Sequence, residues 1–172
     1  DPAWVLNYQS LTWLEDLPPG LAGRLLIQWT DDLLLSPTPL LYTWYDGAVA
    51  ARIYIVAKLA EAYIYATPSP SREVLWAAVK LVSTHLYALA TQRCYTPRHN
   101  HGIMQDRALI RTLLRYPNLV DADALWTLAE ERLLEQVAAS VSAEHVHVEN
   151  SPEYHLLFLR IIQELRGLFA AG

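Results

Sequence analysis

Two short polar motifs interrupt an apolar chain, and their side chains are of the kinds that transfer protons or bind metals. The first, residues 98–102, reads Arg-His-Asn-His-Gly, and the second runs from His147 to His155. Histidine, tyrosine and carboxylate groups act as general acids and bases, and asparagine both donates and accepts hydrogen bonds. Four of the six histidines lie in these motifs, together with Asn100 and Tyr154. We therefore expect any chemistry to be carried here.

The histidines are also spaced as two possible metal-binding pairs, His99-x-His101 and His145-x-His147. On an extended segment, residues two apart face the same side, so each pair would offer two imidazoles to zinc. Glu149 or Asp106 would complete the ligand set. Hydrogen-bonded histidines lining a polar cleft have the same spacing, so a metal is possible but its ligands cannot be assigned, and we predict no cofactor.

Tyr154 is the candidate for proton transfer. The preceding Ser151 and Pro152 are typical of a helix start, which puts Tyr154 at about the third helical position. The positive end of a helix favours nearby negative charge, including a phenolate, and His155 follows directly. A tyrosine in this position can accept a proton or return one, although simple packing is the alternative interpretation.

Helical periodicity dominates the rest of the chain, and both motifs fall near helix starts. Asp46 is the predicted cap of one helix, Ser69 or Ser71 of the next, and Asp121 or Asp123 of a later one. Residues 141–150 alternate as in a short extended segment. Helices are predicted at about 21–35, 48–65, 71–90, 102–115, 123–140 and 152–169, with a weaker one over 4–14. Short connections favour antiparallel neighbours, so we predict a single all-α domain over residues 1–172, built from antiparallel α-hairpins.

Composition restricts the range of partners. The formal charge of −5 argues against general nucleic-acid binding, and no apolar run is long enough to span a bilayer. Residues 93–115 contain five arginines against one acid, Asp106, which favours either an anionic ligand or a solvated helix face. Cys94 is the only cysteine, so no disulfide forms within the chain.

The two motifs together resemble a known family. Asn100-His101-Gly102, followed by His147-x-Glu149-Asn150-Ser151-Pro152-x-Tyr154-His155, is similar to the helical domain of heparinase II/III-type polysaccharide lyases. Residues 7–13 and 44–52 resemble the earlier helices of that family. The resemblance implies an incomplete α/α toroid, joined in the complete enzyme to a C-terminal β-sandwich domain that is absent from this chain. It also favours a periplasmic or secreted bacterial protein.

The resemblance implies β-elimination on uronic-acid polysaccharides such as glycosaminoglycans, alginate or exopolysaccharides. Asn100 would neutralise the uronate carboxylate, and Tyr154 would protonate the leaving oxygen or, for some substrates, remove the C5 proton. A further histidine would come from the β-sandwich domain, so the chain alone could be inactive. A non-catalytic helical carbohydrate-binding or scaffold domain is the alternative. The substrate-binding residues implied for the anionic polysaccharide are Arg98, His99, His101, Glu149 and His155.

Overall fold

The computed structural model describes residues 1–35, 42–91, 94–119, 121–148 and 151–171, and within them the chain is helical. A short 3-10 helix, Thr12–Asp16, follows the first α-helix. The prediction of an all-α fold is confirmed, whereas the toroid stays a prediction. None of the described helices combines the length and apolarity that a bilayer crossing needs. The described α-helices are α1 Pro2–Ser10, α2 Pro19–Leu35, α3 Asp46–Ala66, α4 Arg72–Ala90, α5 Asn100–Arg115, α6 Ala122–Ser140 and α7 Pro152–Ala171.

Local side chains determine where the helices begin and end, and one predicted cap, Asp46, is wrong. Ser71 caps α4 by accepting a hydrogen bond from the amide of Glu73, as predicted. Asp46 is instead the first residue of α3, because the cap position belongs to Tyr45 and the Asp46 carboxylate accepts from the next amide. Asp121, one of the two predicted candidates, is at the N-cap position of α6, but with φ 60° its side chain makes no capping hydrogen bond. The weak helix predicted over 4–14 is broken at Leu11, which has φ 59°.

The described chain divides into two compact units, residues 1–94 and 95–172. In the first unit, α3 packs against α1, α2 and α4. Fully buried side chains such as Leu14, Val56 and Leu89 form its core. In the second unit, α5 packs against α6 and α7, and Ile110 and Leu165 are among its buried residues. A single domain over residues 1–172 stays a prediction.

A buried arginine connects the elements of the first unit. The Arg52 side chain, on α3, donates to Nε2 of His85 (2.6 Å), the carbonyl of Gln9 (2.7 Å) and the carbonyl of Thr43 (2.5 Å). Its guanidinium lies 4.4 Å from the ring centre of Trp29. Burial lowers the pKa of Arg52 to about 9, and burial beside this cation holds the pKa of His85 well below its usual value. Because each interaction joins a separate part of the chain, this network fixes α1, α2 and α4 around α3.

Candidate functional site

The first motif forms the start of α5. His99 is the N-cap, and its Nδ1 accepts a hydrogen bond from the amide of His101 (3.2 Å), so Nδ1 carries no proton in this arrangement. The two imidazole rings meet edge to face, with centres 4.5 Å apart. Asn100 is the first helical residue and is only 7% exposed. The helix thus begins two residues before its predicted start, because an imidazole provides the cap.

A glutamine from α6 holds this helix start in place. The buried Gln136 accepts at Oε1 from the amide of His99 (3.2 Å) and donates from Nε2 to the Tyr95 hydroxyl (2.9 Å) and the Thr96 carbonyl (3.2 Å). Gly102 lies against the same side chain, and a Cβ atom there would overlap both the Gln136 amide and the Thr96 carbonyl. The glycine of the motif is therefore required by the close approach of α5 to Gln136.

Beneath the motif lies a buried carboxyl group. The Tyr95 hydroxyl donates to Oδ2 of Asp106 (3.2 Å), and the Arg132 guanidinium lies 3.9 Å from the centre of the Tyr95 ring. Asp106 is fully buried, and among the described residues none donates a hydrogen bond to its Oδ1. Burial raises the pKa of Asp106 to about 7; burial and the nearby Asp106 charge raise that of Tyr95 to about 12. The sequence suggested Asp106 only as a possible metal ligand, and nothing in it pointed to Tyr95, Arg132 or Gln136.

The second motif begins on a segment that folds back onto the end of α6. The amide of Val148 donates to the carbonyl of Ser140 (3.0 Å), and Val141 forms an isolated antiparallel bridge with His147. His145 is exposed with φ 62°, whereas His147 is buried. The expectation that these two imidazoles face the same side is therefore wrong, because the segment turns at His145 instead of staying extended.

His147 joins this segment to the first turn of α7. Its amide donates to Nδ1 of His155 (3.4 Å), which leaves the other ring nitrogen of His155 as the one that carries the proton. The His147 ring lies 5.1 Å from the ring of Phe158, and within the described parts of the chain neither of its nitrogens has a hydrogen-bond partner. His147 is thus packed as part of the core, and His155 is the half-buried member of the pair.

Tyr154 is the third residue of α7, as predicted, and is 48% exposed. The start of α5 and the segment before α7 both form hydrogen bonds with the last turns of α6. Gln136 contacts the first motif, while Ser140, one turn later on α6, accepts from the segment that leads into α7. Asn100 and Tyr154 consequently belong to the same end of the second unit.

The remaining predicted site residues have different environments. Arg98, with φ 55°, is exposed and lies 3.6 Å from Glu135, a surface ion pair that contributes little to stability. Two of the five arginines in residues 93–115, Arg107 and Arg111, form ion pairs with Glu164 of α7. Their charges therefore take part in contacts between helices. Glu149 lies outside the described residues, as does Arg93, another of these five arginines. Over the described part of the chain, no three histidine, cysteine or acidic residues are grouped to hold a metal ion.

Among the comparisons with known proteins, the family models gave a match. No curated protein and no solved structure matches the chain. A family model described as the heparinase II/III N-terminus matches residues 2–171, almost the whole chain. The chain therefore belongs to the heparinase II/III N-terminus family, and it is a polysaccharide lyase-related domain.

Proposed function

We propose that this chain is the helical, substrate-binding part of a lyase that cleaves uronic-acid polysaccharides by β-elimination. The observation that supports it most is that hydrogen bonds join the start of α5 and the segment before α7 to the same end of α6, in a chain whose family is shown over residues 2–171. Asn100 and Tyr154 lie far apart in the sequence. The hydrogen bonds to Gln136 and Ser140 support a common site, because these two residues lie one turn apart on α6.

The proposed reaction divides between these two side chains. The Asn100 amide donates to the uronate carboxylate, which makes the C5 proton more acidic because negative charge moves onto that carboxylate as the proton leaves. A base takes the C5 proton, and when that proton lies opposite the leaving group the resemblance implies a histidine of the β-sandwich domain in this role. The electron pair of the C5–H bond forms the C4–C5 double bond, and the C4–O bond breaks. The phenol of Tyr154 gives its proton to the departing oxygen. When the C5 proton lies on the same side as the leaving group, the phenolate of Tyr154 removes it first.

The neighbouring residues would orient the substrate. His155 has Nδ1 occupied by the amide of His147, so its Nε2–H is the group available to donate to a sugar oxygen. His101 and Arg98 lie beside Asn100 at the start of α5, where a helix's positive end favours an anion. His99 contributes by capping this helix, and Glu149 by organising the loop before Tyr154.

The burial of Asn100 favours a second candidate function. With 7% of its surface exposed, Asn100 meets a ligand only through a small edge. A non-catalytic helical domain that binds or positions a polysaccharide would use such an asparagine only to stabilise the start of α5. This candidate predicts that Asn100 affects stability and not turnover.

The two candidates are separated by Asn100→Ala in the natural full-length protein, with Asn118→Ala, an exposed asparagine in the turn after α5, as control. Removing a donor that stabilises developing charge lowers kcat by about 10²- to 10³-fold. The lyase proposal expects this loss for Asn100→Ala on a free uronate polysaccharide, with little change for Asn118→Ala. Equal turnover of the two variants, both folded, would favour the non-catalytic function.

A further inference from the structure

A groove in the first unit carries an exposed tryptophan between two basic side chains. It lies between α2 and α4 and has a volume of about 580 Å³. Trp76 is 62% exposed, so the face of its indole is open to a ligand. Arg72 and Lys80 line the same groove. None of these residues belongs to the two motifs at the start of α5 and α7.

Helix geometry places the three side chains in a row. Arg72, Trp76 and Lys80 follow one another at intervals of four residues on α4, so they project from one face of the helix. The row is about 12 Å long at 1.5 Å per residue. An indole with a cation one turn away on each side can receive the apolar face of a sugar ring while the cations meet its acidic groups.

The groove carries charges of both signs, since Asp31 and Glu73 line it together with the two cations. Neither Arg72 nor Lys80 forms an ion pair among the described residues. Glu73 also lines the groove, where the hydrogen bond from the Ser71 hydroxyl, the backbone and the charge of Arg72 lower the pKa of its carboxyl group. Asp31, exposed on α2, supplies an acceptor for sugar hydroxyl groups on the opposite wall. The groove thus offers an aromatic surface, two cations and a hydrogen-bond acceptor.

We infer that this groove is a second saccharide-binding site, which takes an acidic oligosaccharide with one ring stacked on Trp76 and its acidic groups on Arg72 and Lys80. The choice of a uronate ligand rests on the proposed function, whereas the site itself is separate from Asn100 and Tyr154. Such a site would hold a polysaccharide on the protein between cleavage events. It needs no catalytic residue.

The test is an NMR titration in which a uronate tetrasaccharide is added to the chain, whose six tryptophans are labelled with ¹⁵N. The indole signal that disappears in Trp76→Phe identifies Trp76. We expect this signal to shift in a saturable way on titration, and the double variant Arg72→Gln, Lys80→Gln to weaken the binding that it reports by about fivefold, the effect of two exposed charge pairs. Trp4→Ala, which removes a tryptophan exposed to a similar degree (65%) on α1, should leave the affinity unchanged.

Three results would overturn the inference: no movement of the Trp76 signal, an affinity unchanged in the double variant, or a shift that follows protein concentration without sugar. The last would identify an interface between copies of the chain. Lyase activity is measured separately, on Tyr154→Phe. An inactive lyase with a binding groove and an active lyase with an empty groove are therefore distinguishable outcomes.

Discussion

Asp106 should make the stability of the second unit depend on pH, and Asp106→Asn should remove that dependence. Burial raises the pKa of this carboxyl from 3.8 to about 7. The folded protein therefore binds the Asp106 proton more tightly than the unfolded chain does. The stability that this proton provides is fully present below about pH 4 and is lost as the pH rises through about 7.

The size of the effect follows from the same difference. A change of about 3 in pKa, at about 1.4 kcal/mol for each unit, corresponds to about 4 kcal/mol. Between about pH 5 and pH 8, we expect the wild-type protein to lose about 2–3 kcal/mol relative to the variant. Asparagine keeps an oxygen that accepts from the Tyr95 hydroxyl and has no proton to lose, so the variant isolates ionisation from shape.

Urea denaturation followed by circular dichroism, repeated across this pH range, measures the difference directly. His85, whose pKa is lowered by burial, makes stability fall as the pH drops below its usual value of 6.5, but it does so equally in both proteins and cancels. Asp123→Asn, at an exposed aspartate of α6, is the control and should run parallel to wild type. Parallel profiles for Asp106→Asn and wild type would refute the assignment of a buried, protonated carboxyl.

Two further predictions concern the start of α5. Gly102→Ala should destabilise the protein by more than about 2 kcal/mol, because the added Cβ overlaps Gln136 and a backbone carbonyl. Gly167→Ala, whose Cβ meets open space in α7, should instead stabilise the protein by up to about 1 kcal/mol. Thermal unfolding of the two variants measures the difference. A Gly102→Ala variant as stable as wild type would show that Gln136 does not pack there. His99→Ala should cost about 1 kcal/mol and His99→Asn much less, since asparagine also accepts from the amide at the second helical position; equal losses in denaturant titrations would contradict the cap.

The sequence predicted the helices well because their signals are local. Periodic apolar residues indicated α3 to α7, and the serine and proline before Tyr154 located the start of α7 correctly. The cap of α5 was not predictable in this way, since histidine is an uncommon cap and its role depends on the direction of the imidazole. Asp46 shows the converse, because a favoured capping residue became the first helical residue once Tyr45 took the extended conformation.

The surroundings of the candidate site depended on contacts between distant residues. Gln136 lies more than thirty positions from His99, and no local pattern indicates that its amide would join Tyr95, Thr96 and the start of α5. The surroundings of the arginines in residues 93–115 also depend on tertiary contacts, since Glu164 on α7 forms ion pairs with Arg107 and Arg111. Residue types predicted where chemistry could occur, and tertiary packing determined which side chains are exposed.

The central claim is tested most directly by the ultraviolet absorbance of unsaturated uronate product, measured for the natural full-length protein and its Tyr154→Phe variant over a panel of uronic-acid polysaccharides. Tyr87→Phe, which removes a hydroxyl from another exposed tyrosine, is the matched control. We predict product from wild type and Tyr87→Phe on at least one polysaccharide, and none from Tyr154→Phe. Undiminished product from a folded Tyr154→Phe variant would contradict the role assigned to that hydroxyl.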